Sequence, residues 1–176
     1  MNEFSRLLEN EIPRMRRYAR ALTRDTAKSD DLVQSSLVRA LEKQHLWQPG
    51  SNLRAWLFTI LHNQHVNDVR YSLRQGSVGP VEDAEPMWRV EPVADASLQL
   101  RDLRRAINTL CHEHREVLLL VGLEGMRYEQ VATILDIPVG TVRSRLSRAR
   151  TTLRLLMDGA KSANDGWRES GEDLAA

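Results

Sequence analysis

The sequence predicts an all-α protein that consists of two small helical domains joined by a flexible linker. Apolar residues recur with the 3.6-residue period of helices on both sides of residues 76–95, and that stretch is itself rich in Pro, Gly and acidic residues. No strand-like alternation of polar and apolar residues occurs in either half. With 176 residues, the chain is long enough for two compact domains of about 70 residues each.

The N-terminal domain, residues 1–75, is expected to be a three-helix bundle. One helix begins near Phe4, a second near Thr26, and a third after the turn 49–52, whose residues favour turns and helix caps. The recurring apolar residues are Phe4, Leu7, Leu8, Ile12, Met15, Ala19 and Leu22, then Leu32, Val33, Leu37, Ala40 and Leu41, then Leu53, Trp56, Leu57, Ile60, Leu61, Val69 and Leu73. Helices that share one apolar side pack into a compact bundle.

Residues 76–95 and 158–176 differ in composition from the two domains. The first stretch has three prolines, two glycines and five acids, and we expect a flexible linker. The second is rich in Gly, Ser, Asn and acids, and we expect a disordered tail. The net charge is +4 for residues 1–75 and for residues 96–157, −4 for the linker and −3 for the tail. Two basic domains are therefore separated by an acidic linker and followed by an acidic tail.

Several classes of protein are disfavoured by composition. Cys111 is the only cysteine, so no internal disulfide can form, and we expect a packed thiol near a helix start. His112, Glu113 and His114 lie beside it, but nothing completes a metal site or a nucleophile, base and oxyanion site. We therefore expect no enzyme, no cofactor, no metal and no small-molecule substrate. The sequence has neither a signal-peptide pattern nor 18 consecutive apolar residues, so we expect no membrane insertion and a cytoplasmic location.

The C-terminal domain, residues 96–157, contains the strongest motif. Residues 128–135 predict a short helix that buries Val131, Ala132 and Leu135, the chain turns at Asp136 and Ile137, and residues 138–156 predict a longer helix. Pro138 has a φ angle preset for a helix start. This spacing is typical of a helix-turn-helix.

The second helix of this motif has the composition of a DNA-reading helix. At about 100° per residue, one side is apolar and the opposite side presents small hydroxyl residues between arginines. The core side comprises Val142, Leu146, Ala149 and Leu153, and the outward side comprises Ser144, Ser147 and Thr151 flanked by Arg143, Arg148 and Arg154. Small residues permit close approach to the major groove, and arginine donates hydrogen bonds to guanine or phosphate. The alternative is a solvated basic face on an ordinary helix.

Two separate segments resemble the extracytoplasmic-function (ECF) sigma factors of bacterial RNA polymerase. Ile137 to Arg150 resembles the fourth characteristic region of that family, and Asp31 to Ala40 resembles the second. Asn52 to Ile60 resembles the continuation of the second region toward its promoter-melting part. The resemblance covers residues 5–157 and implies that residues 1–75 are sigma region 2 and residues 96–157 are sigma region 4.

The resemblance implies an alternative sigma factor that binds core RNA polymerase and promoter DNA, under the control of an anti-sigma factor. In the family, the helix that matches residues 31–41 docks on a coiled coil of the largest polymerase subunit, which implies polymerase contacts for Asp31, Gln34 and Arg39. The loop that matches residues 46–52 and the following helix bind the separated minus-10 strand, which implies contacts for Trp47, Asn52, His62, Asn63 and Asn67. Contacts to the minus-35 duplex are implied for Arg127, Thr141, Arg143, Ser144, Ser147 and Arg148.

Some of these residues have other interpretations. Trp56 falls on the apolar side of its helix and is better explained as core, Trp47 could close the bundle, and His62 and His65 could be solvated. Ser35 stands where the family often has an acid. Arg127 stands where a Ser or Thr cap is expected, which leaves two interpretations: a helix that is capped less well, or a phosphate contact by Arg127.

Two other functions fit parts of the sequence. A sigma-like decoy would titrate an anti-sigma factor without directing transcription, but such proteins usually add a receiver domain and do not require an arginine-rich reading helix. A helix-turn-helix repressor would bind duplex DNA without polymerase.

Overall fold

In the computed structural model, the described residues are 3–75 and 94–172, and all regular structure within them is helical, which confirms the predicted fold class. The helices are α1 (Glu3–Thr23), α2 (Thr26–Glu42), α3 (Leu53–Arg74), α4 (Ala94–Thr109), α5 (His112–Leu118), α6 (Tyr128–Leu135) and α7 (Val139–Glu172). A 3-10 turn covers Gln44–Leu46, and a π-helical turn covers Leu119–Leu123. No helix in the described ranges is long and apolar enough to cross a membrane.

Side-chain caps define the starts of α2 and α3. The carboxylate of Asp25 accepts a hydrogen bond from the backbone N–H of Lys28 at 3.0 Å, and the Asn52 side chain accepts one from the N–H of Ala55 at 3.1 Å. Each bond satisfies a backbone donor that has no partner inside the helix. The turn residues therefore set where both helices begin.

The helices α1, α2 and α3 enclose one apolar core. Met15, Tyr18, Leu57, Phe58 and Leu61 are each 0% exposed, and the rings of Tyr18 and Phe58 lie 5.2 Å apart between centroids. Trp56 is half-buried and meets Phe4 edge to face at 6.2 Å, as expected for a residue on the apolar side.

Four of the recurring apolar residues do not belong to the core. Leu7, Leu41, Val69 and Leu73 are 37%, 46%, 41% and 59% exposed. Every side chain from residue 67 to residue 75 is exposed, so the last two turns of α3 extend past the packed part of the bundle. Helical period identifies a face, but burial also requires another helix opposite that face.

Residue contacts divide the chain into two compact units. Among the described residues, the first unit combines residues 3–75 with 119–143, and the second combines residues 94–118 with 144–172. In the first unit, the π-helical turn packs on α1, and α6 packs on α3. In the second unit, the buried Arg115 of α5 donates hydrogen bonds to the carbonyls of Ile107, Asn108 and Leu110, and so satisfies the free acceptors at the end of α4.

Two expectations need correction or completion. Cys111 is exposed rather than packed, because it lies just before α5, where its backbone carbonyl accepts the N–H of Arg115. Helix α7 continues to Glu172 and thus includes residues 158–172 of the expected tail, since extending a formed helix needs no new nucleus. Residues 94 and 95 begin α4, whereas residues 76–93 of the expected linker and residues 173–176 lie outside the described residues.

Candidate nucleic-acid and protein interfaces

The turn between α6 and α7 depends on one left-handed residue. Asp136 has φ 52° and ψ 50°, a conformation that Asp tolerates better than most residues. The N–H groups of Asp136 and Ile137 both donate to the carbonyl of Ala132. The carbonyl of Pro138 then accepts from the N–H groups of Thr141 at 2.9 Å and Val142 at 3.1 Å, which begins α7. The predicted helix-turn-helix is thus formed, with its first helix at the predicted residues.

The start of α6 is capped by a residue that sequence reasoning overlooked. The Arg127 guanidinium has no acceptor atom and makes no cap. Instead, the side-chain oxygen of Gln130 accepts the backbone N–H of Arg127 at 2.9 Å, which is one half of a capping box. A Gln at the third helical position is the sequence signal that would have revealed it. The Arg127 side chain is exposed at this helix start.

The outward face of α7 carries the predicted hydroxyl and arginine side chains. Val142, Leu146 and Ala149 are at most 2% exposed. The exposed residues are Arg143, Ser144, Ser147, Arg148 and Thr151, and Thr141 is half-buried at the start of the helix. Among the described side chains, neither Arg143 nor Arg148 forms an ion pair with a carboxylate. Positive charge therefore stands on this face beside small hydroxyl groups, an arrangement suited to a polyanion.

The exposed face of α2 combines polar and apolar side chains. Asp31 and Gln34 are exposed, together with Val38 at 54% and Leu41 at 46%. These four residues fall within an arc of about 80° on a helix of 3.6 residues per turn. Exposed apolar residues beside polar ones are typical of protein interfaces. Val38 was not among the predicted contact residues, and Leu41 was predicted to lie in the core.

Arg39 lies on a different part of α2. It is exposed, but it is about 80° around the helix from Asp31, on the side away from Leu41. The structure therefore places Asp31 and Gln34 on one surface and Arg39 at its margin. Ser35 is also exposed.

The residues predicted for the minus-10 strand occupy two places along α3. Asn52 caps the start of α3, whereas Asn63 and Asn67 are exposed one turn apart on the same face. At 1.5 Å per residue, Asn63 is about 16 Å from Asn52 along the helix. One flipped base cannot contact both places.

Trp47 and the two histidines are less accessible than the asparagines. The Trp47 ring lies 5.5 Å from the ring of Phe4, and its enclosed Nε1 has no hydrogen-bond acceptor among the described residues. This contact favours the bundle-closing interpretation of Trp47. His62 is half-buried and His65 is 9% exposed, so the interpretation of His65 as a solvated residue is wrong. His65 lies two turns after Leu57 and Phe58, on the side of α3 that faces the core.

The ion pair of Glu11 and Arg54 lines a cavity of about 470 Å³ in the first compact unit. The Arg54 guanidinium donates two hydrogen bonds to Glu11 at 2.9 and 3.2 Å, and this bonding raises the pKa of Arg54. Among the described residues, no group of three or more His, Cys, Asp or Glu side chains is arranged to hold a metal ion.

The three-helix bundle and the arginine-faced helix-turn-helix together define a DNA-binding transcription factor of the sigma type. The family model described as "Sigma2 domain of PhyR" matches residues 8–62, and that for "Sigma-70, region 4" matches residues 100–153. The chain is similar to the ECF RNA polymerase sigma factor EcfG of Rhodopseudomonas palustris, with 41% identity over 156 residues, 85% of this chain and 83% of the relative. It is also similar to the ECF RNA polymerase sigma factor SigL of Mycobacterium tuberculosis, with 34% identity over 143 residues, 80% of this chain and 81% of the relative.

A solved structure supports the same relationship. The sigma factor RpoE in complex with the anti-sigma factor NepR, from Bartonella quintana, matches with a TM-score of 0.77 and 35% identity, over 90% of this chain and 98% of that chain. The chain belongs to the family of ECF RNA polymerase sigma factors. It binds core RNA polymerase and directs promoter-specific initiation of transcription. Members of this family are transcription regulators.

Proposed function

We propose that this sigma factor uses three separate surfaces: the outward face of α7 for the minus-35 duplex, the start and middle of α3 for the minus-10 strand, and the exposed face of α2 for core polymerase. The observation that carries the proposal is the outward face of α7. There, exposed hydroxyl and arginine side chains stand opposite the buried side chains of Val142, Leu146 and Ala149, whereas Leu153 at the end of that side is half-buried.

On α7, Arg143, Ser144, Ser147 and Arg148 contact base edges or phosphates in the major groove. Reading helices of this type contact bases with their N-terminal residues, and these four lie in the first three turns. Thr141 and Arg127 lie near the two helix starts, where backbone N–H groups favour anions, and they contact the phosphate backbone.

On α3, the separated minus-10 strand extends from the cap residue Asn52 toward Asn63 and Asn67. The spacing of about 16 Å along the helix requires several nucleotides rather than one. Amide side chains can donate to and accept from the Watson–Crick edges of bases, which are engaged in base pairing in duplex DNA and become free in a separated strand. His62 lies beside Asn63 and contributes from a half-buried position, and Trp47 supports the start of the helix through Phe4.

On α2, the polymerase contact is centred on Val38 and Leu41, with Asp31 and Gln34 around them and Arg39 at the margin. Apolar area removed from water supplies the affinity, and the polar residues set the orientation. This assignment moves the energetic centre of docking away from the polar residues that the family resemblance singles out.

Control by an anti-sigma factor is part of the proposal. RpoE from Bartonella quintana is solved in complex with NepR, and CnrH, which is 26% identical with a TM-score of 0.65, is solved in complex with the cytosolic domain of CnrY. An anti-sigma partner of this chain would cover its polymerase-binding and DNA-binding faces. The proposed location is the cytoplasm, where polymerase and promoters are found, and the proposed role is regulatory rather than catalytic.

A decoy that titrates an anti-sigma factor is the second candidate. The family model that matches residues 8–62 is named after PhyR, and the anti-anti-sigma factor PhyR of Bartonella quintana shares the fold at 15% identity with a TM-score of 0.56. That likeness concerns the fold alone. The arginine face of α7 argues against a decoy, because titrating a protein needs no DNA-reading helix.

Transcription in vitro tests the proposal. Core polymerase is supplied with a genomic fragment library, with and without this protein, and the new start sites are mapped. Starts that share two spaced upstream elements are expected. DNA binding without new starts would support a repressor, and neither starts nor DNA binding would support the decoy.

A matched pair of variants tests the docking surface. Leu41→Asp should weaken binding to core polymerase in the absence of DNA by about tenfold or more, since it places a charge in the apolar centre. Leu73→Asp adds the same charge at another exposed apolar residue, which lies on α3 and is 59% exposed against 46% for Leu41, and should leave this affinity unchanged. Equal losses in both variants would refute the assignment to α2.

A further inference from the structure

A stripe of small residues runs along the outward face of α7. Four exposed residues fall within an arc of about 60° on a helix of 3.6 residues per turn: Gly140, Ser144, Ser147 and Thr151. At 1.5 Å per residue, the stripe is about 16 Å long. Arg143 and Arg148 lie about 40° beyond its two edges. A partner can therefore approach the helix most closely between the two arginines.

Gly140 is a residue of this stripe that the free chain does not require. It belongs to the first turn of α7, and its φ angle is not left-handed, unlike those of Gly50 and Gly125. Alanine can therefore adopt the same backbone conformation. A β-carbon added to Gly140 would have no described heavy atom within 4 Å, apart from its chain neighbours and the local helix backbone. Glycine is a poorer helix former than alanine, so Gly140 destabilises the free helix without a conformational or packing reason.

The absent side chain matters when another molecule approaches α7. Glycine permits a backbone to come close to a ligand, because no β-carbon stands between them. The carbonyl of Pro138 accepts the N–H groups of Thr141 and Val142, and Gly140 precedes the first of these bonds. N–H groups at a helix start have no carbonyl partner inside the helix, and phosphate oxygens can accept from them. Gly140 thus presents bare backbone on the side of α7 that faces the proposed minus-35 duplex.

We propose that Gly140 sets how closely the reading helix approaches DNA: its missing side chain lets the sugar–phosphate backbone of the minus-35 duplex contact the first turn of α7. This contact fixes how deeply the hydroxyl and arginine side chains enter the major groove. The inference rests on the proposed minus-35 surface, and it adds a position of that surface from which even a methyl group is excluded.

Gly159 provides a matched control within the same helix. It is also exposed, its φ angle is not left-handed, and an added β-carbon would likewise meet no described heavy atom within 4 Å. At 1.5 Å per residue, it lies about 28 Å further along α7 than Gly140. Reading helices contact bases with their N-terminal residues, so this position is beyond the groove. The two positions therefore share any effect of alanine on the helix, but not an effect on DNA binding.

The test measures stability and DNA binding in the same variants of the full chain. Gly140→Ala and Gly159→Ala should each raise the melting temperature by about 1 to 4 °C, because alanine loses less conformational freedom on folding. The holoenzyme is then titrated with a fluorescein-labelled duplex that carries the minus-35 element mapped by the transcription experiment. Gly140→Ala should bind it about fivefold or more weakly, as expected for a methyl group forced into a close contact. Gly159→Ala should bind like the starting chain.

A larger side chain and a second duplex identify the contact. Gly140→Gln introduces another good helix former and should weaken binding more than Gly140→Ala does, because more atoms must be accommodated. A scrambled duplex of equal length should lose affinity for Gly140→Ala by the same factor, since both duplexes have the same sugar–phosphate backbone. A loss confined to the mapped duplex would refute the backbone contact, and tighter binding by Gly140→Gln than by Gly140→Ala would refute a steric limit.

Arg148→Ala separates failure of this inference from failure of the proposed surface. If Arg148→Ala binds more weakly and Gly140→Ala binds normally, the reading face stands and the close approach at Gly140 is wrong. If neither variant loses affinity, the assignment of α7 to the minus-35 duplex fails as well. A lowered melting temperature in Gly140→Ala would show that the glycine serves the fold, which also contradicts the inference.

Discussion

Replacement of Arg148 by alanine is the most direct test of how α7 reads DNA. Arg148 is exposed on the outward face, and the hydrogen bond from Thr152 goes to its backbone carbonyl rather than to its guanidinium. Arg148→Ala should therefore change the free energy of unfolding by less than about 0.5 kcal/mol. If the guanidinium donates two hydrogen bonds to a guanine, its loss should weaken recognition of the minus-35 duplex by about 1 to 3 kcal/mol.

That range corresponds to a loss of about 5-fold to 150-fold in affinity. The assay is competition binding by the holoenzyme between a duplex with the mapped minus-35 element and a scrambled duplex of equal length. Arg150→Ala is the matched control, because Arg150 is exposed on the same helix but lies about 160° around it from Arg148. It should leave discrimination between the two duplexes unchanged. Repeating the measurement at several salt concentrations counts phosphate contacts, each of which changes the slope of log affinity against log salt by about 0.9.

Two results would refute this reasoning. An equal loss on both duplexes, with a shallower salt dependence, would make Arg148 a phosphate contact. A larger loss of discrimination in Arg150→Ala would mean that the wrong face of α7 has been assigned to the groove.

Two further predictions concern stability, and both use urea unfolding followed by circular dichroism. Asp136→Val should lower the free energy of unfolding by about 1 to 2 kcal/mol, because a β-branched residue is strained at φ 52°. Asp136→Gly should leave the free energy of unfolding close to that of the starting chain. Equal effects of the two substitutions would show that the turn relaxes. Phe58→Ala should cost about 3 to 5 kcal/mol, since Phe58 is fully buried against Tyr18. Val69 is 41% exposed, so Val69→Ala should change the free energy of unfolding by less than about 0.5 kcal/mol. A loss as large as that of Phe58→Ala would contradict the exposed position of Val69.

The helices and their faces could be predicted from the sequence because they depend on local spacing. The short helix at residues 128–135 was predicted to the residue, and the buried side of α7 followed from its 3.6-residue period. The arginines and hydroxyl groups of the reading face follow from the same period. The two segments that resemble ECF sigma factors also lie within single helices and their caps, so their recognition required no knowledge of tertiary contacts.

Capping and backbone geometry were predicted less completely. Gln130 was overlooked as the cap of α6 because attention fell on Arg127, the residue that cannot accept a hydrogen bond. The π-helical turn at Leu119–Leu123 has no simple sequence signature. Its position becomes apparent only from the hydrogen bond between Glu124 and Leu119.

The sequence by itself determined the helices of the three-helix bundle and of the helix-turn-helix, and which side of each is apolar. Only the tertiary structure decided which apolar sides are covered, so that Val38 and Leu41 remain exposed while Met126 is buried. It also decided that Glu124 loses contact with water and pairs with Arg17, 107 residues earlier in the chain. The physical reason is that helix periodicity is a property of neighbouring residues, whereas burial and ion pairing depend on which distant segment packs opposite them.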